Sequence, residues 1–190
     1  SDLYEGIPSR PLWALDGRHV YFTDRAEGRF SLRTLALGAT APAAFEQPGP
    51  FGVFEDVTRN GRYVLFGALN DPRGIWIQRV GSDERRLVQD PFAATRPRVS
   101  TDGRWLAYTL ELPSGLEVFA QPFDRPGDRI QVSVKGGFGP VWRDDGRELY
   151  YEGPAGLMAV PMTERNGTLE AGTPQALFAD RKSTRLNSSH

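Results

Sequence analysis

Side chains able to carry acid–base, nucleophilic or metal chemistry are scarce in this chain, and their spacing argues against all three. Histidine occurs only at His19 and at the last residue, His190, and cysteine is absent. A Ser-His triad or a His-based metal centre needs an imidazole held beside further functional groups. His19 lies in the run HVYFTD, and three related runs place Tyr63, Trp105 and Glu148 at the same point, so it reads as strand decoration. Asp144 and Asp145 are the only adjacent aspartates, too few for a calcium cage. No GxSxG nucleophile elbow, phosphate-binding loop or kinase catalytic motif is present. The expectation is a chain without catalytic residues, metal ligands or cofactor.

The remaining candidates belong to recognition rather than reaction. Phe51, Phe92 and Phe138 each stand 8 to 11 residues before one of a set of regularly spaced glycines, with Arg96 close by and the run KGGFG at Lys135 to Gly139, whose glycines are expected to make it flexible, around the last of them. Aromatic rings and arginines are frequent binding anchors. Whether these four can meet depends on the elements that carry them.

Those elements repeat. Gly17, Gly61, Gly103 and Gly146 are separated by 44, 42 and 43 residues, and each follows an Asp or Asn and precedes an Arg. Three residues later come Val20, Val64, Leu106 and Leu149, and two further on the aromatics Phe22, Phe66, Tyr108 and Tyr151. Four residues before each glycine stand Trp13, Val57, Val99 and Trp142, preceded at two residues by Pro11, Pro97 and Pro140, with Glu55 as the exception. Asx-Gly pairs turn hairpins, because Gly tolerates positive φ and Asx side chains bond their own backbone. Each turn leads into a run such as YVLFGA or WLAYTL, rich in the β-branched and aromatic residues of strands. Third strands follow as FSLRTLAL, GIWIQRV, LEVFAQPF and GLMAVPM, and fourth strands as RRLVQD, RIQVSV and PQALF.

A strand-rich unit repeating about every 43 residues predicts an all-β chain, a β-propeller with four four-stranded blades visible, part of a larger propeller. The expected blades are 8–50, 51–92, 93–136 and 137–179, with 1–7 as the remnant of a preceding blade. Second strands apolar on both faces fit sheets stacked radially and buried on both sides. The connections bearing Phe51, Phe92 and Phe138 then converge on one mouth of the central channel, where a protein, peptide or small molecule can bind. Four blades leave inter-blade faces uncovered, so the chain by itself is expected to associate.

Composition sets further bounds. A net charge of −1 with dispersed charges offers no basic face for nucleic acid, and no apolar run reaches membrane-spanning length. The sequon Asn166-Gly167-Thr168 is already accounted for as a hairpin tip.

The turn motif, the Pro-x-Trp or Pro-x-Val before it, and the segments EVFAQPF and LMAVPM resemble the TolB-like repeats of bacterial β-propellers. The run RPRVSTDGRWLAYTLELPSGLEVFAQPF followed by GPVWRDDGRELYYEGPAGLMAVPM looks most like the propellers C-terminal to the kinase domain of bacterial eukaryotic-like serine/threonine kinases. That resemblance implies a non-catalytic binding or sensor domain outside the cytoplasm, in a protein whose kinase domain and membrane helix lie upstream. Two alternatives carry the same repeat: the gating propeller of a prolyl-oligopeptidase-like serine peptidase, and a TolB-like periplasmic interaction scaffold.

The last eleven residues, DRKSTRLNSSH from Asp180 to His190, have no place in the repeat. They can be read back, codon for codon, into a common sequencing-library adapter, and are expected to be a disordered, translated adapter rather than natural protein. The same gene recovered independently from genomic DNA is expected to lack these eleven codons; finding them there overturns the reading.

Overall fold

The structure, a computed structural model, describes residues 11–14, 17–26, 29–44, 52–68, 74–80, 82, 85–88, 92–125 and 128–178. The expectations for residues 1–7, for the tail 180–190 and for Phe51 lie outside them.

The Asx-Gly-Arg segments build one hairpin repeatedly. In the third copy the Ser100 amide donates to the Trp105 carbonyl and the Gly103 amide to the Ser100 carbonyl, both at 2.8 Å. The Asp102 carboxylate accepts from the Ser100 hydroxyl at 2.6 Å and the Arg104 amide at 3.1 Å. Asn60 and Asp145 accept from the Arg62 and Arg147 amides at 3.0 Å in the same way. All four glycines hold φ between +63° and +76°, a region where a Cβ costs roughly 1–2 kcal/mol. The arginine after each glycine has a constant backbone duty: its carbonyl accepts an amide from just past the third strand, Leu37, Val80 or Phe123, or in the fourth sheet from Met162 within its longer third strand.

These hairpins extend into four antiparallel meanders. The first comprises β1 (Leu12–Trp13), β2 (His19–Ala26), β3 (Arg29–Ala36) and β4 (Ala43–Ala44), and the second β5 (Gly52–Val57), β6 (Tyr63–Ala68), β7 (Gly74–Arg79) and β8 (Arg85–Val88). The third comprises β9 (Ala93–Val99), β10 (Trp105–Leu112), β11 (Gly115–Pro122) and β12 (Ile130–Gln131). In the fourth, β13 (Phe138–Trp142), β14 (Glu148–Gly153) and β15 (Gly156–Arg165) are followed by β16 (Thr168–Ala171) and β17 (Gln175–Ala176). Here the structure adds to the sequence reading, which places a single fourth strand at PQALF. β15 is long enough to take two partners, β16 along Met162 to Arg165 and β17 along Met158 and Ala159. Asn166 and Gly167, both at positive φ, turn β15 into β16.

The sheets stack in chain order through their first strands. β5 lies against β2 and β3, β9 against β5, β6 and β7, and β13 against β9, β10 and β11. Alternate residues of β10 serve opposite neighbours. Trp105 and Ala107 join Trp142, Leu149, Tyr151 and Val160 of the fourth sheet, while Leu106, Tyr108 and Leu110 join Leu65, Ile75 and Ile77 of the second. The fold is an all-β stack of propeller blades. The buried Tyr108 hydroxyl donates to Gln121 Oε1 at 2.8 Å, and burial pushes its pKa up to about 12.

Truncating a side chain in this stack opens a cavity that both sheets line. Leu106→Ala is expected to cost about 2–5 kcal/mol, whereas Leu116→Ala on the exposed β11 start stays within about 0.5 kcal/mol, as read by urea unfolding.

Candidate functional site

The first strands of three sheets lose register at the same repeat position. The breaks fall between Phe54 and Asp56 in β5, opposite Ala107 to Thr109 in β9, and between Phe138 and Val141 in β13. In β9 and β13 the bulge carries a residue at positive φ, Arg96 at +54° and Gly139 at +63°, each followed by a proline. Proline has no amide to donate to a ladder, so it sits comfortably where pairing is interrupted. Glycine adopts the left-handed conformation freely, but arginine does not. Arg96 is exposed, and its guanidinium lies over the Phe138 ring of the next sheet, 5.3 Å from the centroid.

Arg96 and Phe138 border a cleft of about 320 Å³ together with Arg98, Gly139, Tyr150 and Leu157. Arg98 is structural as well: it donates to the Glu55 and Pro97 carbonyls at 2.7 Å, and its own carbonyl accepts the Trp142 indole N–H at 3.1 Å. Beside it the Asp56 carboxylate accepts the Val99 amide at 2.9 Å. Burial pushes the Glu55 and Asp56 carboxyls above their ordinary range; Arg96 and Arg98 oppose that at Glu55, and the Val99 amide and Arg98 oppose it at Asp56.

The structure brings together two of the residues expected at the mouth, Arg96 and Phe138. Phe92 instead packs, half-buried, against the cluster between the second and third sheets. Arg98, Glu55 and Asp56 are part of this neighbourhood without having been singled out, and Glu55 marks itself in the sequence only by replacing the repeat's proline. The segment Lys135 to Gly139, read from sequence as flexible, is pinned. The Gly136 amide donates to Glu117 Oε1 at 2.9 Å, the Gly137 amide to the Leu116 carbonyl at 2.8 Å, and the Gly139 amide to Thr109 Oγ1 at 3.1 Å. Glu117 also accepts the Ser133 hydroxyl. Space is equally tight, since a Cβ on Gly137 would stand 2.5 Å from Ser133 Cβ.

Among the described residues no group of three or more His, Asp or Glu side chains is placed to hold a metal ion, and no helix is long and apolar enough to cross a membrane.

No protein-family model matches the chain, and no curated protein matches it in sequence. Solved structures do. The protein assigned as TolB in Agrobacterium tumefaciens superposes with a TM-score of 0.67 at 14% identity, over 89% of this chain and 67% of its own. TolB of Acinetobacter baumannii gives 0.66 at 14%, over 88% of this chain and 43% of its own. A chain of a nidogen/laminin complex gives 0.62 at 14%, over 87% and 71%. At such identities the likeness concerns the fold, a β-propeller.

The two carboxyls generate a pH signature. Their folded pKa values are raised above the ordinary 4.5 and 3.8. As pH climbs, the unfolded chain therefore ionises first, and the stability these groups leave intact at low pH is lost as pH rises through the raised values. Asp56→Asn keeps an oxygen for the Val99 amide and has no charge to desolvate. It is expected to be more stable than the parent at neutral pH, with the difference closing below pH 3.8, in urea unfolding across pH.

Proposed function

We propose that this chain is a non-catalytic β-propeller binding module that takes a protein or peptide ligand at the mouth where Arg96 meets Phe138. Arg96 is the observation that carries the reading. Its backbone holds φ +54°, where the next repeat uses glycine. A conformation that costs of order 1–3 kcal/mol persists only where the surroundings impose it, and such residues cluster at ligand sites. A guanidinium over a ring uses its flat face for that contact, while its N–H donors lie in its plane, suited to carbonyl or carboxylate acceptors of a peptide.

The finer reading is that the module is the extracytoplasmic sensor of a bacterial transmembrane serine/threonine kinase. The segments from Arg96 to Phe123 and from Gly139 to Met162, which resemble such propellers, support it. A second reading, a TolB-like interaction scaffold without an attached enzyme, is favoured by the fold shared with two bacterial TolB proteins.

Peptides selected by phage display against the chain test the site. Arg96→Gly is expected to keep or raise stability by roughly 1 kcal/mol, because glycine relieves the left-handed strain, and to weaken the selected peptides together with Phe138→Ala. Unchanged affinity in both variants removes this mouth from consideration. Sequencing the gene outward from its source DNA separates the finer readings. Kinase-loop motifs and a membrane span upstream establish the sensor, a secretion signal alone leaves the scaffold, and a GxSxG segment with downstream Asp and His makes the chain a peptidase gate.

A further inference from the structure

We infer that Asn166, at the tip of the β15–β16 hairpin, is a site of spontaneous covalent modification that turns it into a mixture of aspartate and isoaspartate. The Gly167 backbone nitrogen attacks Asn166 Cγ and closes a succinimide ring. The side-chain nitrogen departs as ammonia, taking with it, by way of solvent, the proton that the Gly167 amide gives up. Water then opens the ring. Addition at the side-chain carbonyl breaks the new bond and leaves aspartate, whereas addition at the main-chain carbonyl breaks the original peptide bond and leaves isoaspartate, its chain running through Cγ. A water molecule enters and an ammonia leaves, with no change of oxidation state. Glycine is the following residue that hinders this approach least, because it has no Cβ.

Asn-Gly occurs at Asn60-Gly61 as well as at Asn166-Gly167, and the contrast between the two carries the inference. At Asn60 both reacting groups are engaged. The carboxamide oxygen accepts the Thr58 hydroxyl at 2.9 Å and the Arg62 amide at 3.0 Å, and the Gly61 amide donates to the Thr58 carbonyl at 2.8 Å. At Asn166, among the described residues, neither the carboxamide nor the Gly167 amide makes a hydrogen bond. A closed turn, here with φ +51° at Asn166 and +77° at Gly167, restrains the backbone rotation that cyclisation needs, so the tip has to open first. Opening is easy at this place. Every residue from Thr163 to Thr168 is exposed, and the nearest buried ones are Met162 and Leu169. Solvated hairpin ends of this kind open at little cost in free energy. The product changes what the hairpin does, since it leans on the third sheet: Leu169 joins Trp105, Val118 and Val132, and Glu164 meets Arg104. Isoaspartate lengthens the backbone by a methylene inside a two-residue turn that sets the register of β16. Either product also adds a carboxylate to a hairpin that already carries Glu164 and Glu170.

Peptide mapping by mass spectrometry, on the full chain aged at mildly alkaline pH, tests the assignment. Asn166 is expected to convert more than about tenfold faster than Asn60, because the bonds that hold the Asn60 turn must be broken before it can react. In the urea-unfolded chain the two sites are expected to react at similar rates, which separates the effect of the fold from that of the dipeptide. Isoaspartate is identified by enzymatic methyl transfer from S-adenosylmethionine, which marks isoaspartyl and not aspartyl residues. Asn166→Gly, which suits the positive φ, is expected to keep the parent's β circular dichroism and to remove that methyl acceptor. Equal rates at Asn60 and Asn166 in the folded chain overturn the proposal, as does an aged chain whose Asn166 peptide contains no isoaspartate.

Discussion

Everything in this chain depends on lateral burial: an inner sheet of the stack has no solvent side, and its two faces are completed by two different neighbours. β10 states the constraint most fully, with six consecutive buried residues from Trp105 to Leu110. Alternation decides which neighbour each side chain meets, so a one-residue slip would exchange the partners of Trp105 and Leu106 and spoil two interfaces together. The Asx-Gly-Arg turn guards against that slip. Its side-chain cap sets the hairpin length, and the arginine carbonyl ties the third strand to the same reference point in each sheet.

The same stacking creates the cleft beside Arg96 and Phe138. Where first strands crowd together, ladder pairing is interrupted and backbone groups must find partners on the adjacent sheet. Asp56 takes the Val99 amide, Arg98 takes the Glu55 carbonyl, and Trp142 takes the Arg98 carbonyl. Cross-sheet polar contacts therefore serve cohesion and also concentrate guanidinium and carboxylate groups around the cleft. The raised carboxyl pKa values follow from this crowding, because it strips water from groups that remain next to arginines.

The repeat was legible because its strongest signals are local. Gly at positive φ, an Asx cap and an apolar strand of fixed offset are written in consecutive residues, so turns and second strands follow from sequence. The site was legible only in part. The meeting of Arg96 with Phe138 spans 42 residues and depends on a bulge whose left-handed residue is a glycine in one sheet and an arginine in another, and no local rule marks the arginine. Composition also misled at Lys135 to Gly139. Glycines that suggest freedom are there because Ser133 and Tyr151 leave no room for a Cβ at Gly137. β16 escaped notice because Thr168 to Ala171 is short and only Leu169 among its side chains is buried.

Each sheet is a meander of sequence neighbours, and among the described residues the hydrogen bonds between sheets, each with a side-chain partner, reach about one repeat away, as from Val99 to Asp56 and from Trp142 to Arg98. Nothing among the described contacts requires a late segment to thread past an early one. Strand pairing stays among sequence neighbours, and a chain leaving the ribosome can finish one sheet before the next has been synthesised. Each new sheet then arrives at a surface already made, so synthesis itself can set the order of assembly from the N-terminal end.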